Sequence, residues 1–518
     1  MKKIIAIAAL ALAVMPAAAQ ETYENAKISW SDLNGTARYV GMGGAMEALG
    51  ADISVIGTNP AGIGLFRKSS ANMSLGMVSQ QDGRNFGGGH TTNISFDQIG
   101  LVIASRTSRN NFLNFAFNYH KSRNFNYILS AADNLYNASQ NKQTYLKAKN
   151  GLLYEYTSNP NFNSPYVQCN QLDDMYARNI NYDYDQDMWF YENANSYNMD
   201  RRHWGYIGDY DFNLSGNSKN RFYWGVTIGI HDIHYKHFGE YTEYFDVNSP
   251  IRVSDTREIK GQGADIKAGI IFRPMEYSPF RIGFAVTTPT WYDLTTSNYT
   301  TMGDKDGSVY NQESYDYKLF TPWRFNLSMG TTVGSTLALG ASYEYADYGT
   351  LDSRYITGEH YNYYTDSYSY DSESDEPMNR HTSESLRGVS TLKLGAEYKP
   401  APEVAVRFGY NYVSPIYREE AYKDGTIASE ASYYSSATDY TNWDATHRFT
   451  CGLGIQIDNV NLSAAYQYSA QTGYFAPFNS FYSTPSDANY DPNDNYDIDA
   501  VKLSNKRHQL LLTATVTF

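Results

Sequence analysis

Three cations, Lys393, Arg407 and Arg448, carry the most specific chemistry in this chain. Each sits on the polar side of a segment in which apolar and polar residues alternate, and the three segments follow one another. A guanidinium matches a carboxylate in a two-pronged fork, so the set suits an acidic headgroup. The competing reading neutralises the same cations internally with Glu344, Glu397 and Glu403. A second cluster is His231, His234 and His237. Side chains alternate along a strand, which puts His231 and His237 on one face and His234 on the other. That is poor geometry for one metal ion, and a haem- or metal-binding receptor stands only as an alternative. The acidic run at 183–187 lacks the glycine and terminal glutamate of a calcium-binding EF-hand loop; it and the run at 487–499 read as solvated surface, with weak calcium binding as the alternative. Asp173, Asp174, Asp209 and Asp211 are carboxylates of the kind a barrel-rim protease or lipase uses. No spacing pairs a nucleophile with a base, so a non-enzyme is expected, with no cofactor and no metal. Cys169 and Cys451 make no ligand spacing; whether they pair stays open.

What must position these residues is a set of strands. The last ten residues put Leu510, Leu512, Ala514, Val516 and Phe518 on one face and Gln509, Thr513, Thr515 and Thr517 on the other. Residues 449–457 and 460–468 alternate in the same way around a two-residue Asp458-Asn459 turn, and 392–398 pairs with 404–412 around 399–402. Such segments recur along the chain, about fourteen in all, an even number as in single-chain bacterial barrels. Short turns near 106–111, 215–220, 273–279, 333–335, 399–402 and 458–459 alternate with long polar stretches at 122–202, 292–315, 349–385, 415–444 and 471–503. Loops sorted by length onto two rims fit a membrane barrel and have no rationale in a soluble sandwich.

Composition agrees. The 518 residues are 42% hydrophobic and 19% charged, with 49 Tyr against 24 Phe and 7 Trp, and the mean hydropathy is -0.54. Tyrosine rings at strand ends suit a membrane interface. Residues 1–19 read as a secretory leader: Lys2 and Lys3, an apolar core from Ile4 to Met15, and Ala17-Ala18-Ala19 before Gln20. Without the two leader lysines, 39 basic residues face 55 acidic ones, so a net charge of -14 becomes -16, which disfavours nucleic acid as a partner. After the leader no apolar run is long enough for a spanning helix.

Residues 20–70 do not alternate. They hold a Gly-Ala run (Gly41 to Ala48), Ala51-Asp52-Ile53-Ser54, and Asn59-Pro60-Ala61 followed by Gly62-Ile63. On these residues the sequence resembles the FadL/TodX outer-membrane transporters for long-chain fatty acids and aromatic hydrocarbons. The resemblance implies an all-β fold: a transmembrane antiparallel barrel of about fourteen strands (71–518) with an N-terminal hatch (20–70) plugging its lumen. It implies passive uptake of a hydrophobic molecule with lateral exit near the third strand, in the Gram-negative outer membrane. Met42, Met46, Leu49, Ile63, Leu65 and Phe66 are then candidate cargo contacts, or else the glue between hatch and wall. The implied partners are a hydrophobic ligand, outer-membrane lipid and lipopolysaccharide, and the barrel assembly machinery through Phe518, with the chain a monomer. A surface adhesin or structural barrel is the remaining alternative. Parity adds one local expectation: Ile94 and Phe96 share a face with Ile99, Leu101 and Ile103 only if one residue near Asp97-Gln98 is bulged.

Overall fold

The computed structural model describes residues 21–150, 171–183, 185–303, 307–363, 367–425, 427, 429, 436–487 and 489–518. The leader and Cys169 lie outside the described residues. Fourteen strands close the wall: β1 (Ser70–Gln80), β2 (Thr92–Ser108), β3 (Asn111–Asn124), β4 (Ala194–Ser218), β5 (Phe222–Tyr244), β6 (Ile251–Phe272), β7 (Arg281–Thr287), β8 (Arg324–Val333), β9 (Leu337–Asp347), β10 (Gly388–Ala401), β11 (Val404–Val413), β12 (Tyr440–Ile457), β13 (Val460–Ala476) and β14 (Val501–Thr517). Neighbours pair antiparallel around the ring, and β14 returns to β1 from Ser70↔Thr517 to Gln80↔Arg507.

Alternation explains the wall. Ile228, Leu327, Leu453 and Leu512 stand exposed on its outer face, while Thr227, Ser328, Arg407 and Thr513 are buried on its inner face. An apolar belt this extensive is incompatible with water and suits hydrocarbon, which makes the chain a membrane-spanning barrel. Outward Tyr410 and Tyr466 bond His447 and His508 at one margin of the belt, as an interfacial girdle requires. The two-residue turn at Asp458-Asn459 is present, with Asp458 at a φ of 49°. Among the described residues no helix is long and apolar enough to cross a membrane.

Strands β4, β5 and β6 run for 25, 23 and 22 residues, whereas roughly ten suffice to span hydrocarbon. Their upper halves rise outside it. There β6 changes partner: Lys267 to Phe272 pair with β7, but Arg252 to Ala264 pair with Trp291–Gly303. That strand leads to Ser308–Phe320, then to the hairpin Asp352–Asn362 and Ser367–Ser374. Of the stretches expected as polar loops, 292–315 is therefore largely sheet, and 349–385 is a hairpin followed by a helix, Glu376–Ser385. Their inward positions carry Thr296, Asn298 and Thr300 beside Leu294 and Met302, so the contrast that reveals a strand is nearly lost.

Inside the lumen lie α1 (Glu21–Ser29), α2 (Ala37–Gly41) and two 3-10 turns, Ile53–Gly57 and Pro60–Leu65. This hatch is tethered to β1, and at the tether Ser69 O accepts from Phe518 N at 2.9 Å.

Candidate functional site

The hatch sits where the wall has given up side chains. Asn59 caps the turn Pro60–Leu65, accepting from Ala61 N at 3.1 Å, and its amide donates to Ile270 O at 3.4 Å. A side chain at Gly225 would collide with Pro60, and one at Gly269 with Asn59. Met42 is received in the same manner at Gly395 and Gly409, and Ala45 at Gly340. Met42, Met46, Leu49 and Ile63 form one buried cluster with Leu33, Ile53, Val55 and Ile56, with Phe66 packed against it; Leu65 packs on Ala61, Tyr223 and Ile271. None of these six lines the chamber walled by Tyr23, Trp30 and Tyr417; Leu65 and Phe66 instead border a mouth at the end of the lumen near the short turns.

Among the described residues, three spaces flank the hatch. The upper one has walls of Tyr23, Trp30, Phe125, Tyr417, Tyr440 and Trp443, with charged groups among them; Tyr23 stacks on Tyr417 at 4.9 Å. Beside it a charged chamber is lined by His120, Asp209, His231, Asp265, Lys267 and Arg324, among others. On the far side of the hatch a mouth is bordered by Arg38, Asp52, Glu397, Lys399 and Arg407.

Each cation singled out from sequence now has a place. Lys393 donates to Glu47 at 2.9 Å and Glu344 at 3.4 Å. Arg407 donates to Glu397 at 2.7 Å, and Arg38 holds the same carboxylate at 2.9 Å. These two are consumed by ion pairs. Arg448 differs: it donates to Asn411 at 2.8 Å and lines the aromatic chamber, 3.9 Å from Asp32. Arg123 at 3.1 Å and Arg507 at 3.9 Å face the same carboxylate, and Arg123 Nε is buried without a hydrogen-bond partner. Burial would raise the Asp32 carboxyl, but Arg123, Arg507 and Arg448 outweigh it and hold the group below its ordinary value. Three guanidiniums against one carboxylate leave an excess of positive charge at one end of an aromatic cavity.

The same segment of hatch closes a break in the wall. The β2–β3 ladder begins only at Gln98↔His120. Above it Thr92 to Phe96 pair with β1 alone and Lys121 to Asn124 with β4 alone. The register shift falls at Asp97: Asp97 and Gln98 both point inward, and Ile94, Phe96, Ile99, Leu101 and Ile103 all face outward. The expected bulge is there. Across the break Asp32 N donates to Ser122 O at 2.7 Å, and Asn124 N to Asp32 Oδ2 at 3.0 Å. Asn34 donates to Asp97 Oδ1 and to Lys121 O, both at 3.0 Å, and accepts from Gln509 at 3.1 Å. One asparagine thus ties β2, β3 and β14 together.

A FadL homologue of Pseudomonas aeruginosa matches 95% of this chain and 100% of its own at 12% identity, with a TM-score of 0.50. The fold is that of the FadL-type plugged barrel. The toluene transporters TbuX of Ralstonia pickettii and TodX of P. putida also match, each over 94% of this chain and 99% of their own, at 13% and 10% identity and TM-scores of 0.48 and 0.47. No family model matches the sequence, and no curated protein does. In this FadL-like barrel the three histidines do not converge. His231 lies between Asp209 and Asp265 at 2.8 and 3.0 Å, His237 contacts Asp255 on the inner face, and His234 contacts Asp232 on the outer face. Asp173 pairs with Lys147 in the long connection between β3 and β4, apart from the lumenal Asp211, which holds Lys267 at 2.8 Å.

Asp32, Asn34, Arg123 and Arg507 escaped the sequence reading. Parity alone places Arg507 inward on β14. Asp32 and Asn34 lie in a segment without periodicity, and Arg123 follows a register shift at Lys121/Arg123.

Proposed function

We propose that this protein carries hydrophobic molecules passively across the outer membrane, taking them from the extracellular side into the aromatic chamber and releasing them sideways through the break between β2 and β3. The observation that carries this reading is the break itself: an unpaired stretch of wall, bordering the chamber, stopped only by residues 32–34 of the hatch. An apolar molecule moving straight on toward the periplasm would desolvate the ion pairs of the charged chamber and mouth, which costs far more than slipping between two strands into acyl chains. The aromatic walls supply dispersion and stacking for apolar cargo, beside charged groups of the same chamber such as Arg123, Arg201 and Asp439. Arg123, Arg448 and Arg507 suit cargo with an acidic headgroup, such as a long-chain fatty acid; the aromatic walls alone suit a neutral hydrocarbon.

A reversible lock tests the route. In an Asn34→Cys/Asp97→Cys variant, oxidation should bind the hatch to β2 and abolish uptake of a labelled fatty acid and of toluene by cells, and reduction should restore both. Uptake unaffected by the oxidised lock would place the exit elsewhere.

A further inference from the structure

The outer face of β4 changes character above the apolar belt. Phe212 and Leu214 are exposed there as lipid-facing residues, and further up the same face come Tyr206, Trp204 and Arg202. Lys121 Nζ lies 5.0 Å over the Tyr206 ring, and the Arg202 guanidinium 4.4 Å over the Trp204 ring. The result is a ladder of cation, ring, ring and cation at the level where hydrocarbon gives way to headgroups.

These two cations differ from their neighbours. Arg84 pairs with Asp200 at 2.6 Å, and Lys236 and Lys260 share Glu258 at 2.9 and 2.6 Å. Lys121 and Arg202 have no carboxylate in ion-pairing range among the described residues. Arg202 is also fixed in place: one of its nitrogens donates to Gly87 O at 3.0 Å, and its stem fills the space a side chain at Gly89 would need. The loop that does this, between β1 and β2, is itself held to the outer face by Phe86 stacked on Phe238 at 5.7 Å.

We propose that Lys121 and Arg202, with the Tyr206 and Trp204 rings between them, form a docking site for a phosphate-bearing glycolipid headgroup of the outward-facing leaflet. The cations meet the phosphates, and the rings meet the sugar and the first carbons of the acyl chains. The site borders the break in the wall, because the Lys121 carbonyl accepts from Asn34 while its ammonium lies outside. A docked lipid flanks the opening, and its acyl chains form the medium just beyond it.

The test reads lipid retention on purified full-length protein and is independent of transport. The protein is equilibrated in detergent with equal amounts of diphosphoryl lipid A and phosphatidylcholine and examined by native mass spectrometry. Wild type should retain the diphosphoryl lipid in preference to phosphatidylcholine. Lys121→Gln and Arg202→Gln should each lower that retention about fivefold, whereas Lys236→Gln, whose ammonium is held by Glu258 at 2.9 Å, should leave it unchanged. Folding of each variant is checked by heat-modifiable gel mobility. Equal retention of both lipids, or undiminished retention by a folded Lys121→Gln/Arg202→Gln variant, overturns the proposal. So does displacement of the lipid by millimolar inorganic phosphate, which would assign the cations to the free anion.

Discussion

Asp32 does two jobs with one carboxylate: it neutralises part of the Arg123, Arg448 and Arg507 cluster, and it anchors the hatch to the exposed edge of β3. Its lowered carboxyl value fixes the sign of the pH response. A depressed folded value contributes stability above the unfolded carboxylate range, near pH 4, and that contribution is lost as pH falls through the folded value. Residues 30–35 should therefore resist limited proteolysis at pH 5 and become susceptible only below about pH 4. Asn34→Ala removes two donors from the lips of the break, one of them serving buried Asp97, at a local cost of about 1–3 kcal/mol. Hydrophobic uptake should rise in this variant, measured as the initial rate of labelled fatty-acid import. The arginines separate by partner. Arg407→Ala leaves Glu397 to Arg38 alone and should lower thermal stability with acidic-ligand affinity preserved, while Arg448→Ala should weaken that affinity about tenfold and leave decane binding unchanged. Calorimetric titration of both variants distinguishes the two.

At the level of elements, the hatch is held by glycines of the wall as much as by its own apolar residues. Gly269→Val would collide with Asn59, and Gly225→Val with Pro60. Either variant should keep a folded barrel yet unseat the plug, and planar-bilayer conductance should show a porin-like leak where wild type shows none. The wall was most legible where large apolar residues take every second position, as in Leu392 and Leu394 or Val404, Val406 and Phe408. The bulge at Asp97 was legible for the same reason, since a change of parity needs one extra residue. The hairpins above the membrane were not legible, because water on their outer face and polar packing on their inner face remove the hydropathy contrast. The hatch contacts were half legible: Met42, Met46 and Ile63 read as apolar contacts, but only the folded chain shows that they face Gly395, Gly409 and each other.

The whole molecule is a short greasy cylinder carrying a tall polar superstructure, which is why a chain with negative mean hydropathy can live in a membrane. Among the described residues, the hairpin Asp352–Asn362 with Ser367–Ser374 pairs with the rest of the sheet only through Asp352 to Tyr355. Its removal should leave the ring and its heat-modifiable mobility unchanged, in contrast to removal of any of β1 to β14. The seam between β1 and β14 carries a further consequence. The first and last strands of the barrel meet there, more than 400 residues apart in sequence, and the hatch hangs from that same edge through Ser69 and Phe518. Such a contact forms late, because the intervening chain must already be organised. The lumenal segment is made first, waits beside an open sheet, and is enclosed when the final strand arrives. Plugging is thus a matter of order in time: the cylinder closes around its contents.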